Sequence, residues 1–253
     1  MTRVAVNGAA GRMGRTVVET AADRDDVEVV VGLDVADAEA VQGVPLAHAS
    51  GVTDALTEYD PDVVVDFTVP DSTVALAEAC VSRQVPLVVG TTGFGDDQLA
   101  ALDEASESIP LLKAANFARG IHALLGAIEE ALAAVPDYDL ELLETHHNGK
   151  RDAPSGTART ILETVQAHRD VQPVYGREGH APRSDDEIGV LVSRAGDVRG
   201  EHELVAAGND EVLSLSHRAE DRAVFAAGAL DAAAWLAGRP AGRYDFGDVI
   251  GEA

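Results

Sequence analysis

The stretch Arg3-Val4-Ala5-Val6-Asn7-Gly8-Ala9-Ala10-Gly11-Arg12-Met13-Gly14 decides the fold class. A short apolar strand runs into a glycine-rich turn, and apolar residues at Val17, Val18 and Ala21 then predict a helix. Glycines at this spacing permit a tight turn, allow a pyrophosphate to approach backbone N–H groups, and let the helix pack closely on the strand. The residues that we expect to bind a dinucleotide here are Gly8, Ala9, Ala10, Gly11, Arg12 and Met13.

A second strand, Val27 to Leu33, ends at Asp34, twenty residues beyond Gly14. An acid at this place can accept hydrogen bonds from a ribose hydroxyl. The next residue is Val35, so no arginine follows to meet a 2′-phosphate. We therefore expect NADH to be the preferred cofactor, with NADPH as a possible one.

Apolar strands continue to alternate with helices at 63–68 and 86–89, as in a parallel sheet buried on both faces. Ligands bind beyond the carboxyl ends of such strands. Two loops are placed to face the cofactor: Gly90, Thr91 and Thr92, and Ala114, Ala115, Asn116 and Phe117. Ordinary turn chemistry explains the same residues equally well from local sequence alone. The fold class predicted is α/β, with a doubly wound parallel, Rossmann-like sheet.

The pattern changes after an apolar helix at 120–134. Alternation at 139–144 predicts a half-buried strand, and a helix is predicted at 158–168, followed by a long loop at 170–187. Strands at 188–194, 201–207 and 211–217 follow, the last two spaced as a hairpin. A helix from 219 to 236 containing Trp235, interpreted as a core residue, precedes a tail of loop with one possible short strand. We expect this second part to form a smaller α+β substrate domain.

Residues 144–158, Glu-Thr-His-His-Asn-Gly-Lys-Arg-Asp-Ala-Pro-Ser-Gly-Thr-Ala, carry the chemistry. Imidazoles exchange protons near neutral pH, a lysine can hold a carboxylate, and a helix start offers N–H groups to an anion. We assign proton donation to His146 and substrate contact to His147, although local sequence cannot choose between them. Lys150 is one of two lysines in the chain, and Ser155, Gly156 and Thr157 form the helix start. Adjacent histidines are poor joint ligands, so we expect no metal.

Composition limits the remaining functions. A net charge of -25 argues against nucleic-acid binding, and the start of the chain has no targeting or membrane-spanning segment, so we expect a cytoplasmic protein without nucleic-acid or membrane partners. The single cysteine, Cys80, lies in a helical apolar pattern and is interpreted as a buried, inert thiol. The dispersed acidic, lysine-poor composition suggests a halophilic protein, because salt screens the self-repulsion of its surface.

These motifs resemble the 4-hydroxy-tetrahydrodipicolinate reductase (dihydrodipicolinate reductase) family over almost the whole chain. The resemblance is carried by residues 8–14, 66–68, 90–94, 115–117, 144–158, 194–202 and 215–219. It implies NAD(P)H-dependent reduction of a cyclic imine dicarboxylate with loss of water, in the diaminopimelate route of lysine biosynthesis. It also implies a discontinuous dinucleotide-binding domain, 1–118 with 218–253, and a substrate and oligomerisation domain, 119–217, which forms a homotetramer.

Carried over by position, the resemblance makes His146 the proton donor, His147 a substrate contact and Lys150 the second catalytic residue. Gly156 and Thr157, with Ser155 beside them, would hold a substrate carboxylate. Residues 90–92 and 114–117 match the two cofactor loops, and we expect Thr92 to reach both cofactor and substrate. Two departures are Val35, where the family often has arginine, and Asn148-Gly149, where bulkier or basic residues are common.

Two other function classes remain as alternatives. One is another two-domain NAD(P)-dependent reductase, such as a homoserine dehydrogenase; an acylating semialdehyde dehydrogenase needs a cysteine nucleophile, and Cys80 is badly placed for it. The other is a non-enzymatic regulator that senses NADH. Such a regulator needs a partner or DNA surface, and the acidic composition offers no basic one.

Overall fold

A computed structural model describes residues 1–251 of the chain, and its elements are numbered here in chain order. The strands are β1 (Thr2–Asn7), β2 (Val27–Asp34), β3 (Ala40–Val41), β4 (Val44–His48), β5 (Val63–Asp66), β6 (Leu87–Val89), β7 (Pro110–Lys113), β8 (Asp139–His146), β9 (Gln172–Tyr175), β10 (Glu187–Arg194), β11 (Glu201–Gly208), β12 (Glu211–Arg218) and β13 (Gly242–Tyr244). The helices are α1 (Arg12–Ala22), α2 (Val52–Tyr59), α3 (Pro70–Arg83), α4 (Asp96–Ser106), α5 (Arg119–Ala134), α6 (Gly156–His168), α7 (Ala223–Leu236) and α8 (Phe246–Gly251). The chain divides into two compact units, one of Met1–Phe117 with Arg222–Ala253 and one of Ala118–Asp221.

The first unit is built on an eight-stranded sheet in the order β13-β7-β6-β5-β1-β2-β4-β3. Every pairing is parallel except that of β3 with β4. The central strands β5 and β6 are buried along their whole length, because helices cover both faces of the sheet. One apolar cluster contains side chains of α1 and α7, and the other contains side chains of α2, α3 and α4. The prediction of a doubly wound parallel sheet is therefore confirmed.

Helix α1 packs through the apolar residues that its sequence repeats. Val17, Val18 and Ala21 are at most 5% exposed and lie on one face with Gly14. On the opposite side of the sheet, Cys80 is fully buried in α3, and its burial raises the thiol pKa. The interpretation of Cys80 as a buried, unreactive thiol is confirmed.

The second unit contains a mixed five-stranded sheet in the order β12-β11-β8-β10-β9. Strand β8 pairs parallel with β10 and antiparallel with β11, and its residues alternate between buried and half-exposed, as predicted. The predicted hairpin is β11 and β12, joined at Asn209 and Asp210, which both have positive φ. A two-residue turn with positive φ at both positions has a backbone twist that matches the twist of the two paired strands.

Several elements differ from the prediction. The loop at 170–187 contains β9, an edge strand on β10 that tolerates Pro173. The last long helix begins at Ala223 instead of Ala219, because the Ala219 N–H is bonded to the Gly200 carbonyl. The tail contains a short strand, β13 on β7, as was expected as a possibility, but it then forms the unpredicted helix α8, whose first N–H groups are capped by the Asp245 carboxylate. The pattern also missed β3, β4 and α2 between residues 40 and 59.

Trp235 lies at the edge of the first core and is only partly buried there. Its ring packs edge-to-face against Tyr244, and the Arg239 guanidinium lies over it at 4.0 Å. The interpretation of Trp235 as a core residue is thus only half right. No helix among residues 1–251 combines the length and the hydropathy that crossing a bilayer requires.

Candidate active site

The glycine turn between β1 and α1 has no room for larger residues at two positions. Gly8 has a φ of +79°, and a Cβ on Gly14 would lie 2.1 Å from the Gly8 carbonyl oxygen. The N–H groups of Gly8 and Ala9 donate to the Leu33 carbonyl at 2.8 and 3.2 Å, which fixes the turn against β2. Glycine is required here for backbone conformation and for close packing of helix on turn.

The first turn of α1 is suited to an anion. Its N-cap is Gly11, which has no side chain to accept the helix N–H groups, and its first turn contains no acidic residue. Such a helix start attracts phosphate through its N–H groups and its dipole. Arg12 is exposed at this point, Met13 is partly buried, and Ala9 is fully buried, so Ala9 can reach a ligand only through its backbone. These residues fit the phosphates of a dinucleotide.

Asp34 lies at the end of β2, beside the glycine turn. Its carboxylate accepts hydrogen bonds from the Ala10 N–H at 2.9 Å and from the Ala36 N–H at 3.1 Å. Asp34 therefore shapes the turn as well as offering oxygen atoms to a ligand. Val35 is 77% exposed, so an apolar side chain stands where an arginine would meet a 2′-phosphate.

The two further loops lie at the carboxyl ends of neighbouring strands, β6 and β7. The Gly90 N–H donates to the Asp66 carbonyl, and the Ala114 N–H donates to the Val89 carbonyl. Thr92 is exposed, whereas the Thr91 hydroxyl is buried and donates to the Asp66 carboxylate. In the second loop Ala115 is exposed, Ala114 and Asn116 are partly buried, and the Phe117 ring lies in the core. The residues that the sequence predicts to bind the cofactor thus all lie at or just beyond the carboxyl ends of strands in the parallel sheet.

In the second unit, three ionisable side chains lie close together near the end of β8. Glu144 and His146 are two residues apart and so lie on the same face of the strand. The Glu144 Oε2 atom is 3.4 Å from His146 Nδ1 and 3.5 Å from Nε2 of His202, which lies on β11. Arg194 donates to the other carboxylate oxygen at 2.9 Å. Glu144, His146 and His202 are 2%, 8% and 3% exposed, so their interactions are weakly screened.

The pKa values follow from this burial. Burial lowers the pKa of His146 to about 4; electrostatic interactions with His202, Lys150 and Arg194 lower it further, and Glu144 opposes them. For Glu144, burial acts to raise the pKa, but hydrogen bonds from His202, Ser155 and Arg194 outweigh it and hold the pKa well below its usual value. At neutral pH the site therefore contains a neutral His146 beside a charged Glu144.

Helix α6 begins at the other side of this cluster. Its N-cap is Ser155, whose hydroxyl accepts from the Ala158 N–H at 3.1 Å and lies 3.0 Å from His202 Nε2. The Ser155 N–H donates to the Glu144 carboxylate. Gly156 is partly buried at the first helical position, and Thr157 is 7% exposed. The Ser155 side chain therefore makes its polar contacts within the protein. Through Ser155, the helix start at Gly156 and Thr157 is connected to the histidine cluster.

His147 and Lys150 lie on the turn that follows β8. The Lys150 N–H donates to the His147 carbonyl at 3.2 Å, and the Asn148 N–H donates to the Gly196 carbonyl, which holds the turn against the next loop. Lys150 Nζ lies 2.8 Å from an Asp152 carboxylate oxygen. His147 and Lys150 thus lie on a short turn that follows directly after His146 at the end of β8.

Some site residues could not be found from residue spacing. Arg194 and His202 lie about fifty residues from Glu144 along the chain and reach it only through strand pairing. Both belong to the 194–202 motif, which was the available signal. Among residues 1–251, Glu144, His146 and His202 also form the one group of three or more His, Cys, Asp or Glu residues whose potential metal-ligand atoms all lie within 4.8 Å of one another. Glu144 already accepts hydrogen bonds from Arg194 and Ser155, and this favours proton chemistry over binding of a further cation.

Comparison with known proteins agrees with both units. Residues 2–117 match the family model described as dihydrodipicolinate reductase, N-terminus, and residues 120–250 match the model described as dihydrodipicolinate reductase, C-terminus. The chain belongs to the dihydrodipicolinate reductase family. It is therefore an oxidoreductase that uses a nicotinamide dinucleotide, as predicted, and neither a homoserine-dehydrogenase-like enzyme nor a non-enzymatic regulator is favoured.

Individual relatives cover the whole chain. A protein of Haloarcula marismortui named 4-hydroxy-tetrahydrodipicolinate reductase is 66% identical over 250 residues, which are 99% of each chain. One of the same name from Natronomonas pharaonis is 53% identical over 98% of this chain and 99% of its own. A solved structure described as dipicolinate-bound dihydrodipicolinate reductase, from Paenisporosarcina sp., has a TM-score of 0.79 at 25% identity and covers 97% of both chains. The relative from Haloarcula is consistent with the predicted halophilic character.

Proposed function

We propose that this protein reduces 4-hydroxy-tetrahydrodipicolinate to tetrahydrodipicolinate with loss of water, and that His146 is its proton donor. The bound nicotinamide supplies the hydride, and the protein must supply the matching proton. The observation that carries the proposal is the cluster at the end of β8: the buried His146 imidazole lies 3.4 Å from the Glu144 carboxylate, which also accepts from the Ser155 N–H at the start of α6, and Lys150 acts on His146 electrostatically. Proton donor, cation and anion site are the three groups that reduction of a cyclic imine dicarboxylate needs.

His146 needs its proton only when substrate is present. Its pKa of about 4 makes it neutral at pH 7 in the free protein. A dicarboxylate bound nearby adds negative charge, which favours the imidazolium form. Burial amplifies this effect, because charges interact more strongly where water is excluded. Substrate binding would therefore favour protonation of His146. His146 would then donate this proton to the ring carbon beside the carbon that accepts the hydride.

The substrate carboxylates have two complementary partners. Lys150 is held by one ion pair, to Asp152, whose side chain is 48% exposed. Such an exposed pair is weak, so a substrate carboxylate can replace Asp152 at little cost. The second carboxylate would be held by the backbone N–H of Gly156 and by Thr157 at the start of α6, with His147 as a further contact. Lys150 is the second catalytic residue in this proposal.

In the first unit, NADH is the cofactor that we propose as preferred. Asp34 would accept hydrogen bonds from the ribose hydroxyls, and its charge would repel a 2′-phosphate. The glycine turn and the start of α1 would bind the pyrophosphate, with residues 90–92 and 114–117 holding the rest of the molecule. The closeness of Asp34 to the turn, through its bond from Ala10, supports this arrangement.

We also propose that the protein is a homotetramer joined through the mixed sheet of the second unit. Strand β10 is exposed at Leu191 and Val192, and Tyr175 on β9 is 62% exposed. These residues line an open groove of about 820 Å³ on the sheet. Replacement of Leu191 by lysine should give smaller species in sedimentation velocity experiments, whereas Ala167→Lys, at an exposed position of α6, is a control that adds the same charge outside the sheet.

The decisive experiment generates the cyclic substrate enzymatically and follows NADH absorbance in the presence of the protein. His146→Gln should lower turnover by about 10²- to 10⁴-fold with little change in KM, which is the range expected for loss of a general acid. Lys150→Ala should lower both turnover and substrate affinity while the affinity for NADH is kept. His180→Gln and Arg151→Ala, both at exposed positions, are the matched controls. Full activity of either test variant would remove that residue from the site.

A further inference from the structure

The Asp66 carboxylate, at the carboxyl end of β5, is completely buried and has no part in the proposed chemistry. Its Oδ1 atom accepts from Asn7 Nδ2 at 2.8 Å and from the Thr68 hydroxyl at 2.7 Å. Its Oδ2 atom accepts from the Thr73 hydroxyl at 2.6 Å and from the Thr91 hydroxyl at 2.7 Å. Four neutral donors therefore share the desolvated charge.

The four donors belong to different segments at the carboxyl ends of the sheet strands, where the proposed cofactor loops lie. Asn7 ends β1 and precedes the glycine turn, Thr68 follows β5, Thr73 lies in α3, and Thr91 lies in the loop after β6. Because one carboxylate binds all four, the position of each segment depends on the others. A buried network with every member satisfied holds its parts in one arrangement.

The segment after Asp66 touches the same loops directly. The Thr91 hydroxyl accepts from the Thr68 N–H at 2.9 Å, which gives the loop a second bond to this segment. A Cβ on Gly8 would lie 2.8 Å from the Phe67 carbonyl oxygen, and a Cβ on Gly90 would lie 2.1 Å from the Phe67 ring. The Phe67 ring also packs edge-to-face on Phe117, at the end of the remaining cofactor loop. The segment Asp66-Phe67-Thr68 thus contacts all three cofactor loops.

We propose that Asp66 is a positioning residue for the nicotinamide cofactor: its carboxylate holds the glycine turn and the 90–92 loop in the arrangement that binds the dinucleotide. This inference rests on the proposed cofactor role of those loops. Asp66 itself is fully buried, so it acts through the hydrogen bonds that it accepts from these segments. Without its charge, the loops would spend part of their time in other arrangements, and the apparent affinity would fall in proportion to the fraction that remains competent.

The test compares Asp66→Asn with Thr73→Val. Asparagine has one acceptor oxygen in place of two, so at least some of the four donors must turn away. Thr73→Val removes one hydrogen bond to the same carboxylate from α3, but leaves the bonds to both cofactor loops intact. Fluorescence titration with NADH should show binding weakened on the order of tenfold in Asp66→Asn and unchanged in Thr73→Val. Amide hydrogen exchange of the unliganded protein should rise at residues 90–94 in Asp66→Asn only.

Equal NADH affinity and equal exchange at 90–94 in Asp66→Asn and the wild type would overturn the positioning role. If Asp66→Asn does not fold, Thr91→Val takes its place, since it removes the hydroxyl that joins this loop to both Asp66 and Thr68. Unchanged exchange at 90–94 in the unliganded Thr91→Val protein would likewise overturn it. A wild-type protein that binds neither NADH nor NADPH would instead refute the proposed function, and the positioning role with it.

Discussion

The neutral His146 has a consequence for stability that can be measured without substrate. Its pKa is about 4 in the folded protein and about 6.5 when it is exposed by unfolding. Between these values the unfolded chain binds a proton that the folded protein does not, so acid favours unfolding. At pH 4.5 the two pKa values correspond to a loss on the order of 2 kcal/mol relative to pH 7. The stability is thus present above pH 6.5 and falls as the pH approaches 4.

The assay is urea unfolding followed by circular dichroism at pH 7 and pH 4.5, at constant salt, for the wild type and His146→Gln. Glutamine does not titrate, so the free energy of unfolding of the variant should fall by less than that of the wild type over this interval, with a difference on the order of 2 kcal/mol. His180→Gln, at an exposed site, should lose as much as the wild type. An identical pH dependence for His146→Gln and the wild type would refute the reasoning, because it would mean that the pKa of His146 is the same in the folded and unfolded states.

Three further predictions concern the charges of the two sites and of the surface. Glu144→Gln removes the group that raises the pKa of His146. In a pH profile of kcat, the pH above which turnover declines should therefore move down by about one unit or more. An unchanged profile would exclude this influence of Glu144 on His146. Val35→Arg should raise the affinity for NADPH relative to NADH on the order of tenfold, and an unchanged ratio from titrations with both cofactors would contradict the placement of the 2′-phosphate. The net charge of -25 predicts a higher melting temperature in molar KCl than at low ionic strength, and equal melting temperatures would show that self-repulsion does not limit stability.

Local sequence predicted those elements whose physical requirements lie within a few residues of chain. The first glycine turn was predictable because Gly8 and Gly14 are required by backbone conformation and by contacts within seven residues of chain. Strand β8 was predictable because its alternation matches one buried and one half-exposed face. The hairpin of β11 and β12 was predictable because its two-residue turn is local.

The errors share a different cause. Strand β9 is short and carries a weak local pattern, and it exists because the neighbouring strand β10 offers an unpaired edge. The start of α7 was placed four residues early because the bond from Ala219 to Gly200 joins residues nineteen apart. Alternation and helical periodicity contain no information about such partners.

Residue patterns alone predicted the fold class, the family and the 144–158 part of the candidate site, but not the contacts that Arg194 and His202 make with it. A glycine turn, apolar strands and the 144–158 motif are local patterns whose physical requirements act within a few residues. Only the tertiary structure decided the electrostatics of that site, because the pKa of His146 depends on burial and on His202 and Arg194, which strand pairing brings from distant parts of the chain. Likewise, four separate segments meet at Asp66, and only their packing shows that a single buried carboxylate joins them.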